Sequence, residues 1–286
     1  MPMPSAIRIT ELDQLTDRVD VLLCDVWGVI HNGVNPFPLS VETLKAARAR
    51  GQTVILITNS PRPASDVRLQ FETIGVDPDC FDDMVTSGDV TRQLVREAPR
   101  AIYFVGPERD RMLVDGLDVA LVDAPDAGAV LCTGLFEDET EKPEDYRALL
   151  ETFRERDLPF ICANPDRVVE RGDRLVPCAG ALADLYADMG GTTRIAGKPH
   201  APIYREALAR ARAIRGEVDT GRVLAIGDGV TTDIRGAMDN GVPSLFIARG
   251  IHAREYGEGR ATDEARLHAF LERAGVAPSY WMEWLA

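Results

Sequence analysis

Short, continuous runs of hydrophobic residues recur along this chain, and several end on a small polar or acidic residue. DVLLCDVWG (20–28) is the first, ending at Asp25, and TVILITNS (53–60) is the second. Runs without polar alternation predict strands buried on both faces, as in a parallel sheet. Between them VETLKAARAR carries a helical pattern, with Ser40 placed to cap it and Gly51 to end it. A helix around 63–74 and a short strand near Val85 follow. RVLAIGDGVTTD (222–233), with Asp228 at a strand end, and VPSLFIA (242–248) repeat the pattern. Alternation of strand and helix predicts a parallel sheet with helices on both faces.

The middle of the chain has its own rhythm. AIYFVG, VALV, AVLCTG and PFICAN read as strands, and segments near 107–113, 143–156 and 180–189 read as helices. The expected organisation is therefore an α/β domain made of 1–87 and 194–286, interrupted by a second α/β domain at 88–193. Linkers are expected near Gly88 and Thr193. The tail SYWMEWLA is apolar for a terminus and is expected to pack on the core or on a subunit interface.

Composition narrows the function. A net charge of -14 argues against nucleic acid and against anionic membranes, because both are bound through Lys and Arg. No apolar run approaches the ~20 residues of a membrane span. The start, MPMPSAIRIT, lacks the apolar centre of a signal peptide. Cys24, Cys80, Cys132, Cys162 and Cys178 form no CxxC pair, so they read as small buried hydrophobes in a reducing compartment. These features together predict a cytoplasmic protein.

Four segments carry chemistry: DVWGV (25–29), TNS (58–60), GKPH (197–200) and GDGVTTD (227–233). Singly each is weak, since an Asp at a strand end is often a cap, TNS and GDG are turn sequences, and a lone Lys is usually solvated. Together, at predicted strand ends where open α/β sheets bind ligands, they suit phosphoryl transfer. Asp25 would attack phosphorus as a carboxylate nucleophile. Asp25 and Asp228, with Asp233 in reach, would hold a divalent cation such as Mg2+ through hard oxygen ligands. Thr58 and neighbouring amides would bind phosphate oxygens, and Lys198 would pair with Asp25 and the phosphate.

On these motifs the chain resembles the haloacid dehalogenase-like phosphatases. The branch is class IIA, which includes nucleotide-monophosphate, p-nitrophenyl phosphate, phosphoglycolate and pyridoxal phosphate phosphatases. DVWGV stands where that family usually has DxDGV, TNS matches its phosphate-binding motif, GKP carries its lysine and GDGVTTDI its acidic motif. ANPDRVVERGDRLVPCAGAL (163–182) is similar to its cap segment. The resemblance spans about residues 20–260. It implies a Rossmann-like, doubly wound core and an α/β cap that selects a small phosphorylated substrate. It also implies Mg2+ on Asp25, Asp228 and the Trp27 carbonyl, with Asp233 supporting, and phosphate held by Thr58, Asn59, Ser60 and Lys198. A homodimer through the caps is a further implication.

Trp27 departs from the pattern. It replaces the second Asp, which protonates the leaving alcohol and then activates water, and indole has no acid–base chemistry near neutral pH. A bulky aromatic at this place is also found in metal-independent 2-haloacid dehalogenases, but those lack the acidic GDGVTTD arrangement. His31 and His200 are the candidates to supply a proton in its place, against the reading of ordinary structural histidines. Trp27 itself is either packing or a stacking platform for an aromatic substrate. Three functions follow: a Mg2+-dependent phosphatase acting through an aspartyl phosphate, a metal-independent dehalogenase-like hydrolase, or a catalytically impaired phosphate-ligand binder.

Overall fold

The computed structural model describes residues 5–171, 174–257 and 261–286. The chain forms two compact units. The first comprises Met1–Thr58, Arg68–Val85 and Lys198–Ala286, and the second Asn59–Val67 and Thr86–Gly197.

The first unit is built on a seven-stranded sheet. Its strands are β1 (Ile7–Arg8), β2 (Val21–Cys24), β3 (Thr53–Thr58), β4 (Asp83–Thr86), β5 (Val223–Gly227), β6 (Ser244–Ile247) and β7 (Tyr280–Met282), in the order β1-β7-β6-β5-β2-β3-β4. The central pairings β6–β5, β5–β2 and β2–β3 are all parallel. Every residue of β2, β3, β5 and β6 is buried, which explains why these segments read as unbroken hydrophobic runs. The order reverses at the adjacent pair β2 and β5, so their carboxyl ends open a crevice between crossovers running opposite ways.

Two local readings change. The first helix spans Pro38–Ala49, with Phe37 at the cap position rather than Ser40. Pro38 at the first helical position has its φ preset for a helix and has no amide to leave unpaired, so the helix starts earlier. Ser40 lies inside it and its hydroxyl donates to the Leu285 carbonyl at 3.4 Å. The apolar tail forms β7, inserted between β1 and β6, with Trp281 fully buried.

The second unit holds a five-stranded parallel sheet ordered 193–195, 160–162, 129–132, 101–105, 120–121. One core cluster packs Val130, Phe153, Phe160 and Tyr186 together. An antiparallel pair, Val168–Arg171 with Arg174–Pro177, lies in the segment resembling the cap motif; Gly172 and Asp173 of that segment lie outside the described residues. Asn59–Val67 groups with this unit because the helix Ser87–Arg96 grips it. The Gly88 amide donates to the Ser60 carbonyl at 3.1 Å, and the Ala64 amide to Asp89 at 3.3 Å. A β-carbon on Gly88 would overlap the Pro61 and Arg62 backbone. All five cysteines are buried.

Candidate active site

The site grows from the carboxyl ends of β2 and β5. Asp25 follows β2, and its amide still donates to the Ile226 carbonyl of β5 at 2.8 Å, so sheet pairing fixes its backbone. Asp228 follows β5. Asp233 sits on one turn of π-helix, Val230–Ile234, a geometry frequent at functional sites. Lys198 lies just before the helix Ala201–Arg215. All four side chains are buried.

They converge. The Lys198 ammonium reaches Asp25 Oδ1 at 2.5 Å and Asp233 Oδ1 at 2.6 Å. Asp233 Oδ2 accepts the Gly229 amide at 3.0 Å, so both of its oxygens are engaged. Asp228 Oδ2 accepts the Ile251 amide at 2.8 Å. One carboxylate oxygen from each of Asp25, Asp228 and Asp233 lies within 4.8 Å of the others. Gly28 makes this packing feasible: its φ is +81°, and a β-carbon there would overlap the Asp228 carboxylate.

Three carboxylates cluster near one buried ammonium, and the protonation of Asp25, Asp228 and Lys198 reflects it. Burial, with Asp233 adjacent, pushes Asp25 well above the usual carboxylate range despite Lys198. Burial and Asp233 push Asp228 up to about 7. Burial disfavours the Lys198 charge, but Asp233 and Asp25 outweigh it and hold the ammonium protonated. Lys198 alone does not compensate three ionised carboxylates, which is why Asp25 and Asp228 are pushed towards protonation, and a hard divalent cation fits that donor set.

The remaining sequence candidates are divided between the two units. Thr58 ends β3, the strand beside β2, and is buried. Asn59 and Ser60 belong to the second unit. Asn59 donates to Asp166 at 3.0 Å, linking the TNS segment to the NPD sequence, and Ser60 accepts the Arg62 amide at 3.3 Å. His200 occupies the cap position of the helix Ala201–Arg215. His31 is buried, its Nδ1 accepts the Gly33 amide at 2.8 Å, and burial pulls it down to about 4. A neutral imidazole with one nitrogen already accepting is a poor proton donor near pH 7. Trp27 is 55% exposed, with its ring lying on Gly33.

Two contributors escaped sequence reasoning. The Ile251 amide orients Asp228, and the Tyr204 hydroxyl donates to the Asp233 carbonyl at 3.2 Å. The strand-end position of the loop after VPSLFIA was a usable signal for the first. Tyr204 sits in an ordinary helical pattern and had none.

Comparison with known proteins bears on the family and the fold. A family profile described as haloacid dehalogenase-like hydrolase matches residues 22–120, and a HAD-hydrolase-like profile matches residues 195–272. The D-glycerol 3-phosphate phosphatase of Mycobacterium tuberculosis is 29% identical over 253 residues, covering 85% of this chain and 66% of that protein. The 4-nitrophenylphosphatase of Schizosaccharomyces pombe is 23% identical over 304 residues, covering 96% and 95%. The crystal structure of a hydrolase of the haloacid dehalogenase-like family from Brucella suis 1330 superposes with a TM-score of 0.85 at 50% identity, covering 97% of this chain and all of that one. The chain belongs to the haloacid dehalogenase-like hydrolase family.

Proposed function

We propose that this protein is a phosphoric monoester hydrolase acting on a small phosphorylated molecule through an aspartyl phosphate on Asp25. The observation that carries this reading is the buried contact of Lys198 with both Asp25 and Asp233, beside Asp228. A carboxylate at a strand end, with one oxygen held by a fixed ammonium, is oriented for in-line attack. The names of the relatives, phosphatases of glycerol 3-phosphate and of 4-nitrophenyl phosphate, point the same way.

In the reaction, an Asp25 oxygen forms a bond to phosphorus while the ester P–O bond breaks and the leaving oxygen departs with its electron pair. Water then attacks the phosphoryl-aspartate and releases inorganic phosphate, restoring Asp25. Asp25 and Asp228 would hold Mg2+, together with the Trp27 carbonyl. Bound there, Mg2+ would neutralise phosphate and carboxylate charge and so let two anions approach. Asp233, with both oxygens taken by Lys198 and Gly229, fixes the lysine. Lys198 stabilises charge developing on the phosphoryl oxygens, and Thr58, Asn59 and Ser60 supply hydroxyl, amide and main-chain donors to them. The second unit, as an inserted cap, would select the organic part of the substrate. No described helix is long and apolar enough to cross a membrane. The buried cysteines, none of them in a CxxC pair, support a reducing cytoplasm.

The test is a panel of phosphate monoesters assayed for free phosphate with Mg2+ and again after chelation. Asp25→Asn should abolish release while leaving the thermal transition in place, because the amide has nearly the same size but is a poor nucleophile and a poor Mg2+ ligand. Turnover that survives in Asp25→Asn removes the aspartyl phosphate from the mechanism, and turnover that survives chelation removes the metal.

A further inference from the structure

Trp27 is oriented by the fold and yet left open. Its ring rests on Gly33, where φ is +90° and a β-carbon would overlap the indole. The His31 ring meets it edge-on, with centroids 5.2 Å apart at 73°. His31 is in turn fixed by the Gly33 amide on Nδ1 and by the edge of Phe71 at 5.6 Å. An indole supported this way but 55% exposed is not core packing; Trp281, fully buried, shows what packing looks like in this unit. An exposed indole held in a fixed orientation offers a flat face on which a planar group can stack.

Its position says what would cover it. Trp27 lies two residues beyond Asp25, and the next residue, Gly28, touches the Asp228 carboxylate. Ile251, whose amide holds Asp228 from another loop, is 64% exposed. The buried carboxylates are therefore bordered by exposed apolar side chains carried on the same loops. In an in-line displacement the leaving oxygen points away from the attacking carboxylate. The loop that leaves Asp25 carries the exposed indole, so a leaving group directed outward would pass beside it.

We propose that the open face of Trp27 is a stacking platform for the leaving group, and that the substrates are monophosphate esters of aromatic or planar alcohols. This rests on the phosphatase reading above. Stacking also suits the loss of the second Asp, because an aromatic hydroxyl departs without the proton that Trp27 cannot give. Gly33 and His31 act as positioning residues that set the angle of the ring.

Binding tests the platform separately from turnover. Benzylphosphonate and an alkylphosphonate of equal charge carry no ester bond to break, and their affinities are measured by calorimetry with Mg2+. The natural protein should prefer the aromatic ligand by about tenfold, the upper range for one aromatic contact. Trp27→Leu should lose that preference, Trp27→Phe should keep most of it, and Gly33→Ala should weaken it by tilting the ring. Thermal melts confirm that each variant is folded. Equal affinity for both phosphonates in the natural protein, or an aromatic preference that persists in folded Trp27→Leu, overturns the platform. Phosphate release from phenyl phosphate reads the other claim: selective binding through Trp27 without any release overturns the phosphatase and leaves the platform standing.

Discussion

At the scale of single residues, the indole that stands two positions after Asp25, where the family pattern has a carboxylic acid, should govern which step is slow. General acid–base assistance is worth about 10²–10⁴ in rate, and indole cannot supply it. His31 is neutral and occupied by the Gly33 amide. Esters of acidic alcohols should therefore be cleaved far faster than alkyl phosphates. Hydrolysis of the aspartyl phosphate, also deprived of its base, should lag. A burst of released phenol equal to the enzyme present, followed by a slower steady rate, is the expected rapid-mixing trace with an aryl phosphate. Trp27→Asp should shrink that burst and raise alkyl phosphate turnover by about 10²-fold or more. Equal rates on alkyl and aryl esters with no burst would mean that another residue donates, and His200 would be the first to replace.

At the scale of elements, β7 makes the C-terminus part of the sheet, and Glu283 holds it there. Its carboxylate accepts Arg249 Nε at 2.8 Å, the Thr262 amide at 3.0 Å and the Thr262 hydroxyl at 2.8 Å. Burial opposes the charge, but Thr262 and Arg249 outweigh it and hold the carboxyl below the usual glutamate range. A depressed folded value contributes stability above the unfolded pKa of about 4.3, lost as pH falls through the lower folded value. Glu283→Gln should therefore lower the urea midpoint at pH 7 and leave a smaller difference from the natural protein near pH 3. A deficit that does not narrow on acidification would assign the effect to lost shape rather than lost charge.

This element also marks where sequence ran out. β2, β3, β5 and β6 were legible because each is a continuous hydrophobic run buried on both faces. Asp25, Lys198, Asp228 and Asp233 were legible because each follows or accompanies such a run in a recognisable motif. A two-residue strand such as Ile7–Arg8 carries no periodicity, and its pairing with β7 joins opposite ends of the chain. The Ile251 amide acts through its backbone, which leaves no trace in residue type. Ser40 misled because its hydroxyl serves the Leu285 carbonyl, a tertiary contact, rather than its own helix.

At the scale of the whole molecule, the net charge of -14 opposes the approach of an anionic substrate to a site that is itself acidic. Screening should relieve that repulsion. Raising ionic strength from about 10 mM to about 150 mM shortens the Debye length from about 30 Å to about 8 Å. The KM for a phosphate ester, measured at saturating Mg2+, should fall over this range, the reverse of what a basic substrate funnel gives. A rising KM would mean that a local cationic field dominates the distant charges.

The order of strands has a consequence for synthesis. β2 and β5 pair side by side at the centre of the first unit, yet one comes from residues 21–24 and the other from residues 223–227. On the ribosome, the strand carrying Asp25 emerges early and has to wait for the strand carrying Asp228. The continuous stretch Thr86–Gly197, with its own five-stranded sheet, leaves the exit tunnel in between and can close first. The nascent first unit meanwhile exposes β2 and β3 as an unfinished sheet edge, a template for aggregation or for chaperone capture. The acidic cluster cannot assemble before Asp233 is made, and the seven-stranded sheet cannot be completed before β7 at Tyr280–Met282, so a chain that ends before Asp233 has no catalyst.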